Sequence, residues 1–124
     1  MTGEELIARA EAAAANAYAP YSNYLVGATV VTVDGRVYDG VNVENAAYPL
    51  GICAEKTALA AAATAGCRPG DITAIGITAS PCGGCRQWLH EWKVQRVHFR
   101  RDDGSIAQYG SGDLLPDTWN LPDA

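Results

Sequence analysis

Ile72-Thr73-Ala74-Ile75-Gly76-Ile77-Thr78-Ala79-Ser80-Pro81-Cys82-Gly83-Gly84-Cys85 decides how this 124-residue chain is built. Residues 72–78 read as a strand that runs directly into Ser80-Pro81-Cys82. A helix follows from about Gly84 to Lys93, with Pro81 as its opener. Cys82 and Cys85 stand at the C-x-x-C spacing that lets two thiolates clasp one metal ion across a turn or a first helical turn. Upstream, Cys53-Ala54-Glu55 opens another helix, which runs through Leu59 and a set of alanines to Ala65, with Gly66 suited to cap its end. Helices between successive strands require crossover connections, hence a sheet flanked by helices. The helix starts at Cys53 and at Cys82/Cys85 then lie side by side off one end of the sheet, where three thiols can converge.

Outward from this centre, Thr2 and Glu5 have the spacing of a capping box. A helix over residues 3–17 presents Leu6, Ile7, Ala10, Ala13, Ala14 and Ala17 as an apolar stripe, and Pro20 ends it. Residues 25–33 form a β-branched strand, Asp34-Gly35 a hairpin turn, and residues 36–43 the returning strand. The Cys53 helix is apolar all round, which predicts burial. Val94–Arg100 is a fourth strand, and 105–109, after the turn at Asp102-Asp103-Gly104, a fifth. Trp88 and Trp92, four apart on the third helix, are expected in the core. The predicted architecture is α/β: a three-layer α/β/α sandwich with a mixed five-stranded sheet, in one domain spanning 1–124.

Composition narrows the function. The net charge is −5 with no basic run, which argues against a polynucleotide partner, because phosphate contacts need a Lys/Arg surface. The acidic start Met1-Thr2-Gly3-Glu4-Glu5 does not resemble a secretory leader, and no apolar run is long enough to span a membrane. Cysteines at metal spacing fit a reducing, cytoplasmic setting.

Cys53, Cys82 and Cys85 supply three thiolates, and a catalytic zinc site keeps its fourth position open for water. A structural zinc site would take a fourth protein ligand. Cys67 sits in the loop Gly66-Cys67-Arg68-Pro69-Gly70, and neither His90 nor His98 is spaced as a ligand. A redox C-x-x-C pair would leave Glu55 unexplained. Three thiolates give a net negative cluster that makes bound water less acidic, so a base nearby is needed, and Glu55 is its candidate. Cys53 at a helix start gains from the positive end of the helix dipole.

These residues resemble the zinc-dependent nucleoside deaminases, whose signature is His or Cys, any residue, Glu, then Pro-Cys-x-x-Cys. The all-cysteine set resembles the small homotetrameric cytidine deaminases. So do Tyr18-Ala19-Pro20-Tyr21-Ser22, Val26-Gly27-Ala28, Asp34-Gly35-Arg36, Asn42-Val43-Glu44-Asn45-Ala46, Ser80 through Gln87, and Leu114-Leu115-Pro116. The resemblance covers nearly the whole chain. It implies one zinc ion per subunit and hydrolytic deamination of cytidine and deoxycytidine to uridine and deoxyuridine plus ammonia, a step of pyrimidine salvage. Glu55 would move a proton from water to the ring nitrogen beside the reacting carbon and then protonate the departing amine.

The resemblance also assigns the binding groups. The backbone carbonyl of Ser80 would accept from the exocyclic amine, with Ala54 beside it in the substrate pocket. Asn42 and Glu44, two apart on the second strand and so on one face, would bind the ribose hydroxyls. Tyr24 matches a phenylalanine that packs on base or sugar, and is otherwise a core aromatic. Tyr48 and Trp119 match positions that complete a neighbouring subunit's pocket in a homotetramer.

Four departures stand out. Lys56 replaces an arginine whose fork can reach the ligand thiolates, and Trp119 replaces a phenylalanine. Leu25 replaces a proline, and the segment before Ser80 is several residues shorter than usual. That shortening opens the amine side of the pocket and extends the expected substrates to N4-substituted cytidines. The alternatives are deamination of an antibiotic such as blasticidin S, a catalytically silent zinc-binding interaction protein, and a nucleic-acid editing enzyme. The pair Asn42/Glu44 favours a plain ribose, an intact Glu55 disfavours the silent protein, and the acidity disfavours editing.

Overall fold

The capping box at Thr2 forms as expected: the Glu5 amide donates to Thr2 Oγ1 and the Thr2 amide to Glu5 Oε1, both at 3.1 Å. In the computed structural model, which describes residues 1–121, it opens α1 (Gly3–Ala14). The last three residues of the predicted domain, 122–124, lie outside the described residues. α1 stops three residues earlier than its apolar stripe suggests. A distant backbone competes for the chain there: the Tyr18 amide donates to the Asn42 carbonyl, and the Glu44 amide to the Tyr18 carbonyl. The residues before Tyr18 turn to meet that bridge, and the helical ladder ends.

The strands are β1 (Gly27–Thr32), β2 (Val37–Val41), β3 (Ile72–Ile77), β4 (Arg96–Arg100) and β5 (Ile106–Tyr109). They form one sheet in the order β2-β1-β3-β4-β5. β3 and β4 run parallel, and the other three pairs are antiparallel, so the sheet is mixed as predicted. Between β2 and β3 lies α2 (Ala54–Thr64), and between β3 and β4 lies α3 (Gly83–Glu91). Leu6 of α1 packs with Val31 and Ala74 on one face of the sheet. α2 and α3 cover the other face, where Ala58, Leu59 and Leu89 pack against Val30, Ile75 and Val97. A fully buried Leu, Ile or Val side chain stabilises by about 1.5–3 kcal/mol, so these layers hold α2 and α3 firmly on the sheet.

Both helices end in the same backbone device. Gly66 takes φ +102° after α2, its amide donating to Ala63 and the Cys67 amide to Ala62. Lys93 takes φ +55° after α3, its amide donating to His90 and the Val94 amide to Leu89. These are Schellman closures, in which the residue after the left-handed one packs on the core. Cys67 and Val94 are accordingly buried. Cys67 lies in the predicted loop, with its side chain packed into the core. Two burial expectations need correction. α2 buries only Ala54, Glu55, Ala58, Leu59 and Ala62, because as an outer layer it turns Ala60 and Thr64 to solvent. α3 points Cys85 and Leu89 inward, which leaves Trp88 exposed while Trp92 packs at the core margin.

Gly40 shows how closely α2 lies on the sheet: a Cβ there would come 2.3 Å from the Ala58 amide nitrogen and 2.5 Å from the Ala54 carbonyl oxygen. Backbone atoms of a packed helix have little room to yield. Gly40→Ala is expected to cost about 1–3 kcal/mol, the range for overpacking, read as a lower urea midpoint at unchanged slope. An unchanged midpoint would show that α2 can lift off β2 freely.

Candidate metal and substrate site

Two helix starts build the metal end of the site. Cys53 is the N-cap of α2 and Cys82 the N-cap of α3, both in extended conformation, and Cys85 lies within the first turn of α3. The three sulfurs lie within 4.8 Å of one another, with Cys53 and Cys82 at 4.0 Å. Thiolates about 2.3 Å from a tetrahedral zinc stand about 3.8 Å apart, so the cluster needs little adjustment to hold one ion. Among the described residues no further Cys, His or acid joins the group. Cys67, His90 and His98 lie elsewhere, as expected.

The charges in the cluster call for a cation. Burial pushes the Cys53 thiol up, with nearby Cys82 and Glu55 adding to the rise. Burial, then Glu55, push the Cys85 thiol up strongly. At Cys82 burial also acts upward, but the amide and thiol of Cys85 outweigh it and the group is lowered. Three thiolates beside a carboxylate repel one another, and a divalent ion removes that cost. The donor set fits zinc: sulfur ligands, a compact triangle and a side left open.

Glu55, in the first turn of α2, is 4 % exposed. Burial raises its carboxyl above the usual range, opposed by its own amide, the Cys85 thiol and the Lys56 charge. Lys56 is half-buried. Its ammonium lies near the start of α3, since a Cβ on Gly84 would be 3.6 Å from Nζ. It sits where a cation can act on the cluster without presenting a guanidinium fork.

A cavity of about 280 Å³ opens in front of the thiols. It is lined by Cys53, Ala54, Glu55 and Cys82 from the helix starts, by Ala79 and Ser80 after β3, and by Tyr24, Asn42 and Glu44. Asn42 and Glu44 lie just past the end of β2, beyond the regular strand. Asn42 Oδ1 accepts from the Val26 amide at 2.8 Å, and Nδ2 donates to the Tyr24 carbonyl at 2.8 Å. Glu44 Oε1 accepts from the amides of Tyr21 and Ser22, and Oε2 from the Ser22 hydroxyl. The Ser22 hydroxyl and amides hold the Glu44 carboxyl below the usual range. By valence, Asn42 keeps one N–H and one lone pair, and Glu44 keeps acceptor capacity on Oε2. Tyr24 is 58 % exposed, which excludes the core reading.

Tyr48 and Trp119 do not line this cavity. Tyr48 stands edge-on to Tyr21, 5.9 Å between ring centroids, over an adjoining cavity that shares Ser22 and Glu44. Trp119 lies 68 % exposed near the end of the chain. Sequence reasoning passed over Ser22, and over Arg86, whose guanidinium donates to the carbonyls of Pro81 and Leu114 and to the Ser80 hydroxyl. Their position inside the matching segments Tyr18–Ser22 and Ser80–Gln87 was the available signal.

A family model for the cytidine and deoxycytidylate deaminase zinc-binding region matches residues 1–101. A cytidine deaminase of Sporosarcina psychrophila is 37 % identical, the alignment covering 99 % of this chain and 95 % of that protein. It extends over 131 positions, more than this chain's 124, so that relative carries residues absent here. A cytidine deaminase of Mycobacterium tuberculosis is 40 % identical over 90 % of this chain and 84 % of its own length. Among solved structures, a cytidine deaminase from Burkholderia pseudomallei superposes with a TM-score of 0.90 at 46 % identity, covering 96 % of this chain and all of that one.

Proposed function

Because the chain belongs to the cytidine and deoxycytidylate deaminase family, we propose that it hydrolyses cytidine and deoxycytidine to uridine and deoxyuridine plus ammonia. The observation that carries this reading is one cavity lined by Cys53 and Cys82 of the three-thiol cluster, by Glu55, and by Asn42 and Glu44. Zinc held by Cys53, Cys82 and Cys85, one ion per subunit, supplies Lewis acidity and an activated water when bound.

The chain's own groups do the rest. The Ser80 carbonyl accepts from the exocyclic amine and fixes the ring edge, with Ala54 lining the same cavity. Glu55 holds the proton that goes to the ring nitrogen, which makes C4 electrophilic, and delivers the second proton to the leaving nitrogen. Its burial raises its proton affinity, which suits a group that must hold a proton and pass it on. Asn42 offers one donor and one acceptor, and Glu44 an acceptor, to the two ribose hydroxyls. Tyr24 covers the sugar or base at the cavity mouth.

An ultraviolet assay over cytidine, deoxycytidine, cytosine, a cytidine nucleotide and blasticidin S tests the reading. Turnover of the first two supports it. Turnover of the antibiotic alone would replace it with a modified-nucleoside deaminase.

The reading includes a homotetramer, built from one deaminase unit spanning 1–124. Tyr48, 75 % exposed, and Trp119 are large rings placed outside their own cavity, available to close a neighbour's. Light scattering at micromolar concentration is expected to give about four times the 13.0 kDa chain mass. A monomer mass with full activity would refute the shared pocket. A cytoplasmic setting in pyrimidine salvage, with no nucleic-acid partner, follows from the reduced thiol ligands and the acidic charge. No helix among the described residues is long and apolar enough to cross a membrane.

A further inference from the structure

Ser80 belongs to two cavities. One face lines the substrate cavity beside the thiols. The other lines a second cavity, of about 450 Å³, walled by Arg86, Phe99, Arg101, Asp102 and Tyr109. Only residues 78–81 separate the end of β3 from Cys82, the N-cap of α3, so the link that carries Ser80 is too short to fold over this shared wall. The proposed deamination puts the exocyclic nitrogen of the substrate against Ser80. A group attached to that nitrogen would therefore pass over Ser80 into the second cavity.

The second cavity has the character of a binding space for a neutral, flat group. Phe99 and Tyr109 stack there, ring centroids 6.1 Å apart and 17° between planes. Arg86 and Arg101 are matched in number by Asp102 and Asp113, so the lining is neutral overall and does not call for a charged ligand. The Arg86 guanidinium is already held by Pro81, Leu114 and Ser80, which makes the shared wall rigid rather than a closing flap. Arg101 is exposed beside Tyr109, its guanidinium donating to the Ser105 and Tyr109 hydroxyls at 3.4 Å, which places a planar cation at the cavity edge where an aromatic ring can stack on it.

We infer that the second cavity is a leaving-group subsite, and that the enzyme accepts cytidines carrying an acyl or alkyl group on the exocyclic nitrogen, aromatic acyl groups above all. This inference rests on the deaminase reading. In the reaction, water's oxygen bonds to C4 and the bond from C4 to the exocyclic nitrogen breaks. Of water's two protons, one ends on the ring nitrogen and the other on the departing nitrogen. N4-benzoylcytidine thus gives uridine and benzamide with no oxidant, reductant or further reactant.

The experiment compares cytidine, N4-benzoylcytidine and N4-ethylcytidine with the zinc-loaded protein, products separated by chromatography and identified by mass. The expected result is uridine from all three, with benzamide or ethylamine in equal amount. Asp102→Trp, which fills the cavity from an exposed turn, and Tyr109→Ala, which removes its stacking wall, are expected to lower kcat/KM for N4-benzoylcytidine at least about tenfold, worth about 1.4 kcal/mol. Cytidine turnover stays within about twofold in both. Conversion of cytidine without conversion of the substituted nucleosides overturns the subsite alone. So does an equal loss on all substrates in Asp102→Trp, or release of benzoate and cytidine in place of benzamide. Failure of wild type on all three overturns the deaminase reading and the subsite with it.

Discussion

Glu55→Gln leaves the protein folded and its zinc content unchanged, while turnover of cytidine falls by about 10³–10⁴-fold, the upper part of the range for general acid–base catalysis. The amide keeps the size of the carboxyl, so the first turn of α2 and the thiol triangle keep their packing. What it lacks is a proton to hold and release. Both proton movements assigned to this side chain fail together, so kcat falls with kcat/KM and binding is little altered. Metal analysis alongside steady-state kinetics checks this. Turnover within tenfold of wild type at full zinc content would assign the proton transfers to another group.

Cys85→Ser is expected to lose most of the zinc and, with it, almost all activity, since a serine hydroxyl is a poor zinc ligand. Cys85 is fully buried in the first turn of α3, so solvent cannot replace the missing sulfur without opening the packing. The change also reaches stability. Zinc binds the folded chain by joining the starts of α2 and α3, and a ligand of the native state alone raises its stability by mass action. Chelation is expected to lower the wild-type Tm and to leave the variant's nearly unmoved. Full zinc content in the variant by metal analysis would show that the ligand set is wrong.

The features legible in the sequence were those whose causes are local. Thr2 and Glu5 are three residues apart and satisfy one another, and Cys82 and Cys85 come together across a single turn, close enough to share an ion. Gly66 ends α2 because glycine accepts its left-handed angle without strain. What stayed hidden depends on distant parts of the chain. α1 ends at Ala14 because Tyr18 is taken by the backbone at 42–44, which nothing near residue 14 announces. Lys93 ends α3 in a left-handed angle that its side chain does not favour, held by the burial of Val94 after it. Trp88 is as apolar as Trp92, and only the rotation of α3 on the sheet decides which one meets the core. The Arg86 guanidinium reaches the Leu114 carbonyl, 28 residues on, so its role emerges only with the fold. Within the site, the metal end could be read from spacing. The two-sided wall at Ser80 could not, because a cavity is a property of surfaces.

The bonds that bind Asn42 to Tyr24 and Val26, and Glu44 to Tyr21 and Ser22, bear on the timing of an entropic cost. Ordering a rotamer-rich side chain on association costs about 0.5–1.5 kcal/mol. Here both side chains are already fixed by backbone partners before any nucleoside arrives, so that loss falls on folding and not on binding. In the proposed ribose role, Asn42 and Glu44 offer the sugar donors and acceptors whose directions are preset. A sugar whose hydroxyls point elsewhere finds no side chain able to swing toward it. Selectivity for sugar configuration is thereby written into the loop between Tyr18 and Val26, through the backbone groups that hold Asn42 and Glu44.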